Sequence, residues 1–375
     1  MNRAAAVCLA GALVALAGCT AWFGPVPAPT VVPSPTATAE AVPDPGRPAM
    51  RIDLSCDDLV DGLDLASHLP GAVLQAERVG ERLGHGEPTM SDAFVLAQAR
   101  GLTCEWSSTG PGHSALRIEL LPNAKPLWKD ALEAGAVDEI LFNCLSYQYD
   151  EHGSNDCYFE GLAGADWIRL RATDIDVGAW ESDQDLTEAT TPLFQKLVDT
   201  VKSAREVDPP ATARARPLPE TCEEILPVAA VNAVTVFGAQ AQYFDIATFG
   251  QRVNSIAGAA SWATGAPYCN LIGRADYHVY VEILPGGSWA LHETLDDPSA
   301  TAGPAAEVPV EGLRAGDGAW SRCSEGRVCE LDLDLGGNWV QLSVSGWDEN
   351  FTANEQRRLL AGLTTLATAV VERVG

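Results

Sequence analysis

Two stretches of the chain alternate apolar and polar side chains and stop at proline. They are Leu116-Arg117-Ile118-Glu119-Leu120-Leu121-Pro122 and Tyr280-Val281-Glu282-Ile283-Leu284-Pro285. A period of two puts one row of side chains on each face of a strand, and proline, with no N–H for the ladder, ends it. Two more strand signatures open on tryptophan, Trp167-Ile168-Arg169-Leu170 and Trp339-Val340-Gln341-Leu342. Helical spacing flanks both strand regions. Ser55-Cys56-Asp57-Asp58 and Thr221-Cys222-Glu223-Glu224 each place a hydroxyl three residues before a carboxylate, the arrangement that caps a helix reciprocally. Leu59, Leu63 and Leu65 follow the first, and Ile225, Val228, Ala229 and Val231 the second. Thr191-Pro192 predicts a further helix start with proline at its first position, leading to the face Phe194, Leu197, Val198 and Val201. Thr352 and Glu355 cap a last helix with the stripe Leu359, Leu360, Leu363, Leu366, Val370 and Val371. Each half therefore reads as helix, antiparallel meander, helix. The fold class expected is α+β, with two tandem similar units, each an antiparallel sheet packed by helices on one face. Glu119 and Glu282 fall on the polar row, which predicts the wet side of a half-buried sheet; the alternative is a paired site at the shared Glu-apolar-Leu-Pro element.

The cysteines repeat in the same order. Of ten, Cys8 and Cys19 lie near the start, leaving Cys56, Cys104, Cys144, Cys157, Cys222, Cys269, Cys323 and Cys329. The first pair of each set of four is 48 or 47 positions apart, and Trp167 and Trp339 each stand ten positions after the fourth cysteine. An even set in an exported chain reads as a disulfide framework, whereas zinc binding wants close CxxC pairs, and none occurs. Cys323 and Cys329 bracket a five-residue turn centred on Gly326, so they can face each other across a hairpin. The repeat carries that pairing to Cys144 with Cys157 and leaves Cys56 with Cys104 and Cys222 with Cys269. The two tryptophans read as core anchors packed on these bridges, with sugar-stacking platforms as the alternative.

The chain begins with a basic Met1-Asn2-Arg3 and an apolar run from Ala4 to Ala15, the length of a signal-peptide core and too short for a good membrane span. Leu16-Ala17-Gly18-Cys19 follows and resembles the lipobox of bacterial lipoproteins at all four positions. The resemblance implies cleavage before Cys19, lipidation of that residue, and a membrane attachment made durable by more than one acyl chain. The organisation expected is a signal peptide at 1–18, a proline-punctuated tether at 19–50, a first disulfide-stapled unit at 51–208, a Pro/Ala linker at 209–217 and a second unit at 218–375, the two units folding semi-independently.

The composition is acidic, with 51 Asp and Glu against 24 Lys and Arg and a formal net charge of -27. Such a surface repels phosphate backbones, so nucleic acid is excluded as an expected partner. GxSxG, HExxH, CxxC and a phosphate-binding loop are all absent, and the histidines His68, His85, His113, His152, His278 and His292 have no metal-ligand spacing. No catalytic residue, metal or cofactor is expected. Glu330-Leu331-Asp332-Leu333-Asp334 places three carboxylates on one strand face, and Asp174-Ile175-Asp176 faintly suggests the start of a calcium loop; both read first as solvated acids, with a cation site as the alternative.

The lipobox, tether, four-cysteine unit and acidic, alanine-rich composition together resemble actinobacterial cell-envelope lipoproteins of unknown function. In cysteine economy the unit is similar to the extracellular sensor domains of mycobacterial serine/threonine kinases, which carry two disulfides around a cleft, although this chain has no kinase. The resemblance implies a protein on the outer face of the cytoplasmic membrane, lipid-anchored at Cys19, that binds a ligand or envelope partner without catalysis. A wall hydrolase working through carboxylates and a purely structural surface protein are the alternatives.

Overall fold

The computed structural model describes residues 46–75, 92–108, 114–138, 141–147, 154–209, 215–237, 242–243, 253, 255–266, 268–272, 277–296, 304–323, 328–346 and 351–374. The expected signal peptide, Cys19, the tether to residue 45 and linker residues 210–214 lie outside them. In chain order the first half carries β1 (Ile52–Asp53), α1 (Cys56–Val60), α2 (Leu65–His68), β2 (Ala72–Leu74), α3 (Asp92–Gln98), β3 (Leu102–Ser108), β4 (Ala115–Leu121), α4 (Lys125–Glu133), β5 (Leu141–Tyr147), β6 (Ser154–Ala163), β7 (Asp166–Thr173), α5 (Asp183–Ser203) and β8 (Arg205–Glu206). The second carries α6 (Cys222–Ile225), α7 (Val228–Ala233), β9 (Gln242–Tyr243), α8 (Ile256–Thr264), β10 (Tyr268–Ile272), β11 (Tyr277–Leu284), α9 (Ser288–Asp296), β12 (Ala306–Glu307), β13 (Gly318–Cys323), β14 (Val328–Leu335), β15 (Asn338–Gly346) and α10 (Ala353–Val374).

The capping chemistry forms where the sequence places it. Ser55 Oγ accepts from the Asp58 N–H at 3.2 Å while Asp58 Oδ2 accepts from the Ser55 N–H at 2.8 Å. Thr221 with Glu224 and Thr352 with Glu355 make the same exchange. The Thr191-Pro192 start is corrected. Helix α5 begins at Asp183 under a Ser182 cap, and Pro192 sits inside it. The buried face Leu186, Thr190, Leu193, Phe194, Leu197, Val198 and Val201 runs unbroken on both sides of the proline, so packing carries the helix through. The donor Pro192 lacks would have served the carbonyl of exposed Glu188, which water can reach.

The fold is α+β. The first sheet runs β2-β3-β4-β7-β6-β5 and the second β12-β13-β14-β15-β11-β10-β9, all antiparallel. A plain meander is corrected in both halves: β4 pairs with β7, and β11 with β15. A helix (α4, α9) follows β4 or β11 and carries the chain away before the next hairpin starts. Four disulfides join the expected partners. Cys56–Cys104 and Cys222–Cys269 tie a helix start to a strand with Cα–Cα distances of 5.6 and 5.7 Å. Cys144–Cys157 and Cys323–Cys329 lie directly opposite across a strand pair, at 4.0 and 4.1 Å.

One face of each sheet holds its own core. In the first, Leu116, Ile118, Ile168, Leu170 and the cystines pack with Leu59, Phe194, Leu197 and Val201. In the second, Val281, Leu331, Leu333, Val340 and Leu342 pack with Leu359, Leu363, Leu366 and Val370. The expectation of helices on one face only is corrected, because the opposite faces meet a third core. It joins Phe94, Leu96, Leu121, Trp128 and Trp167 of the first half to Val253, Ile256, Ala260, Leu284, Trp289 and Trp339 of the second. Helices α3 and α8 pack on each other there, and α8 reaches over to β4 and β7 of the first sheet. Residues Ala41–Gly375 consequently make one compact unit.

Candidate functional site

The polar rows of the two sheets are covered, contrary to the expectation of a wet face. Glu119 is 2% exposed and Glu282 8%. Burying a carboxylate is costly unless donors surround it, and Glu119 has them. Arg117 donates from Nε and Nη2 to its Oε1 at 3.0 and 2.8 Å, and Arg169 Nη1 donates to Oε2 at 3.2 Å. Arg169 also reaches Glu160, which accepts from the Trp167 indole at 2.9 Å and from the Tyr158 hydroxyl. Burial, then the bond to Glu160, pushes the Tyr158 hydroxyl above its ordinary pKa. Burial, and after it the neighbouring Glu119 charge, raises Asp92. Glu119 and Glu160 are thus both held by donors from their own and the neighbouring strands.

The acid ladder Glu330 to Asp334 is likewise inside, which corrects its reading as solvated. Asp332 is fully buried, and its Oδ1 accepts from the Trp339 indole at 2.8 Å and from Gln341 Nε2 at 3.1 Å. Arg322 Nε donates to Glu330 at 3.0 Å, and its Nη2 stands 3.6 Å from Asp332 Oδ2. Burial raises the Asp332 pKa against the pull of Arg322. Asp334 accepts from the Gly337 N–H and lies 3.2 Å from His292 Nε2, and burial raises it too. Asp174 and Asp176 accept backbone N–H groups of Asn155 and Gly178, which accounts for them as turn formers. Among the described residues, no group of three His, Cys, Asp or Glu could hold a metal ion.

Trp167 and Trp339 are core residues, but their place is corrected. They stand on the face away from the cystines, in the third core. Alternation explains it: Cys157 pairs with Ala172 and Cys329 with Val344, and Trp167 and Trp339 lie an odd number of residues away, five along the same strands. Phe94 meets Trp339 and Trp289 edge-on at 5.9 and 5.8 Å, and Trp128 meets Trp167 at 4.8 Å.

Open space gathers beside this junction. One cleft of about 310 Å³ is lined by Arg51, Gln98, Arg100, Asn123, Leu127 and Thr264, among others. A second, of about 480 Å³, runs along Gln98, Thr264, Arg216, Pro217, Glu220 and Pro285. The two share Gln98 and Thr264, so they form one groove along the seam. Gln98 rivets its wall: Nε2 donates to the Pro285 carbonyl at 2.6 Å and Oε1 accepts from the Trp289 indole at 2.8 Å. At the β4–α4 turn the Asn123 N–H donates to Asp166 Oδ1, and at the β11–α9 turn the Gly286 N–H donates to Asn338 Oδ1.

The helix ends bordering the groove use one device with different residues. Helix α8 closes with Ala266 N–H bonded to the Ser261 carbonyl and Gly265 N–H to that of Trp262, with Gly265 left-handed at φ 70°. Helix α3 closes with Gly101 N–H bonded to Leu96 and Arg100 N–H to Ala97, and here Arg100 takes the left-handed position at φ 65°. A side chain in that region costs roughly 1–2 kcal/mol that glycine avoids. Gly101 is needed for another reason, since a Cβ there would come within 2.3 Å of the Leu120 carbonyl oxygen. Asn123, also left-handed at φ 54°, lines the same cleft.

No protein-family model, curated protein or solved structure matches the chain. The structure brings the expected cysteines together in pairs, while Cys19 lies outside the described residues. The groove residues Arg51, Gln98, Arg100, Asn123 and Thr264 escaped the sequence pattern. The available signal was faint: Arg100-Gly101 closes one helix where Gly265 closes the other.

Proposed function

We propose that this chain is a lipid-anchored extracytoplasmic binding module, held at the outer face of the cytoplasmic membrane through Cys19, which takes its ligand in the seam groove without catalysing a reaction. The observation that carries the reading is the pair of contiguous clefts sharing Gln98 and Thr264 beside the third core. Concave sites of 300–1,000 Å³ at the junction of two packed units are the usual place for small ligands. The lipobox and the disulfides support an exported location. The corresponding strand orders β3-β4-β7-β6-β5 and β10-β11-β15-β14-β13 support a duplicated ancestral unit, the groove arising where the two copies meet. The saturation of Glu119 and Glu160 by arginine, tyrosine and indole donors disfavours the hydrolase alternative, and the first cleft has no carboxylate in its lining.

The test is extraction. The full chain is purified from its own membranes alongside Thr264→Trp, which fills the shared part of the groove, and small molecules released on denaturation are compared by mass spectrometry. A species that the wild type releases and the variant lacks is expected. Identical extracts, or conversion of an added wall polymer by the wild type, would count against a non-enzymatic groove binder.

A further inference from the structure

We infer that Asp332 is a neutral carboxylic acid in the folded protein at neutral pH, joined to Gln341 by two hydrogen bonds, and that losing its proton in alkali loosens the joint between the two halves. Asp332 on β14 and Gln341 on β15 lie directly opposite each other, 0% and 4% exposed. Gln341 Nε2 donates to Asp332 Oδ1 at 3.1 Å, and the Trp339 indole donates to the same oxygen at 2.8 Å. Two atoms of the pair are left over, Asp332 Oδ2 and Gln341 Oε1; both are buried and neither has a hydrogen-bond partner. An amide oxygen and a carboxylate oxygen are both acceptors and cannot bond to each other. A proton on Oδ2 makes it a donor, and Gln341 Oε1 is the acceptor that a primary amide offers beside its own N–H. Acid and amide then hold each other by two bonds, and both leftover atoms are used. Turning the amide over does not remove the need, because it sets Oε1 against Oδ1 in place of an N–H.

Among the described residues, the charged and titratable groups around this pair are Arg322 on β13, Glu330 and Asp334 on β14, Glu282 and Tyr280 on β11, and His292 on α9. Arg322 gives its Nε to Glu330 at 3.0 Å, and its Nη2 stays 3.6 Å from Asp332 Oδ2, beyond a hydrogen bond. His292 lies at Asp334, 3.2 Å away. Arg322 therefore meets three carboxyl groups, those of Glu330, Asp332 and Glu282. Asp332 is the most completely buried of the three, and it has an unused acceptor beside it. Burial raises its pKa, Arg322 pulls it down, and the Glu330 charge raises it again. The pair also reaches the joint. The indole that Oδ1 holds belongs to Trp339, which packs in the third core edge-on to Phe94 of the first half at 5.9 Å. In alkali the proton leaves to water, and Oδ2 and Oε1 then oppose each other as two acceptors. Any shift that parts them moves the oxygen on which Trp339 is held. This proton site is independent of the groove.

Asp332→Asn in the full chain tests this, because an amide N–H replaces the acid O–H toward Gln341 Oε1 and nothing at the position titrates. With the folded pKa raised above the unfolded value of about 3.9, the wild type gains stability from this proton that is full below about 3.9 and is lost as pH rises through the folded pKa. The melting temperature of the wild type minus that of the variant should therefore fall with rising pH, the variant being the more stable in alkali. The raised acids Asp92, Asp166 and Asp334 are common to both proteins and cancel in that difference. In carbon-13 spectra of the wild type, the Asp332 carboxyl, assigned through the Trp339 indole proton, should report the protonated form at neutral pH. Exchange protection factors in α3, which carries Phe94, should drop severalfold above the folded pKa in the wild type and hold steady in the variant. An Asp332 carboxyl that is ionised at neutral pH, as a water bridging Oδ2 and Oε1 would leave it, overturns the assignment, and this spectrum decides the matter even where the variant does not fold. A melting difference that stays constant with pH, with α3 protection unchanged, overturns the link to the joint.

Discussion

The third core makes a claim that the linker composition does not. A Pro/Ala linker between two capped, disulfide-stapled units predicts semi-independent folding, whereas a core drawn from both halves predicts coupled unfolding. Phe94→Ala separates these. Phe94 is 1% exposed and touches Trp289 and Trp339 of the other half edge-on. Truncating a buried phenylalanine costs about 3–5 kcal/mol. Two ring pairs, each worth roughly 0.5–1.5 kcal/mol beyond area burial, place this site toward the upper end, about 4–5 kcal/mol. Over the Ala41–Gly375 unit the entropy of unfolding is about 0.7 kcal/mol/K, so a single cooperative transition should fall by about 6 °C. Calorimetry gives that number, and amide exchange shows where the loss is felt. Protection in β14 and β15 should drop together with protection in β4 and β7, although the substitution lies in the first half. Unchanged protection in β14 and β15, with a loss below about 1 kcal/mol, would refute a shared core and restore independent units.

Three other outcomes are expected. Cys19→Ala should release the protein into the medium or leave an unprocessed precursor, as fractionation and blotting will show; normal retention and processing would defeat the anchor assignment. Asp166→Asn should stabilise the protein at neutral pH, because Asn338 makes the equivalent bond with an amide and burial raises the Asp166 pKa above its unfolded value. A raised carboxylate pKa means the native state holds the proton more tightly, so the gain should be full above the folded pKa and shrink as pH falls through it toward about 3.9, read by denaturant melts across that window. Removing Cys56–Cys104 as a Ser pair should cost about 4 kcal/mol and removing Cys323–Cys329 about 2.2 kcal/mol, following loop separations of 48 and 6 in the chain-entropy model, and equal costs in denaturant melts would contradict it.

The sequence made the covalent frame and the element types legible, because each rests on local or repeated chemistry. Ser55 with Asp58 signals a helix start within four residues, and the matched order of eight cysteines fixes four bridges. What it hid is long-range. The row containing Glu119 and Glu282 looks wet along the strand, and only the arrival of α3, α8 and α9 on that face makes it interior. Trp167 looks like a partner of the nearby cystine until strand parity sends it to the opposite face. Pro192 looks like a helix start because its ring fits the first turn, and a seven-residue buried stripe overrides that preference. The groove was least legible, since its lining comes from seven separated segments.

The two halves are most instructive where matching positions differ. Cross-strand pairing sets Glu160 opposite Arg169 in one sheet and Asp332 opposite Gln341 in the other, each acid taking an indole N–H from the tryptophan seven residues on. With arginine, the first sheet's acids are neutralised. With glutamine, Asp332 relies on Arg322 from the next strand, and its Oδ2, Gln341 Oε1 and Ser343 Oγ are buried without a hydrogen-bond partner among the described residues, as are Arg169 Nε and Thr103 Oγ1 in the first sheet. Buried polar atoms of that kind are usually satisfied by internal water. Beside the seam the second half has Gly265 and Gly286 at left-handed positions, and the first half carries Arg100 and Asn123 there. Glycine would avoid the left-handed cost at Arg100, so closure of α3 alone does not account for that side chain, whereas asparagine suits the left-handed turn at Asn123. Arg100 and Asn123 both line the first cleft, which makes the first half the side on which the proposed groove is best tested.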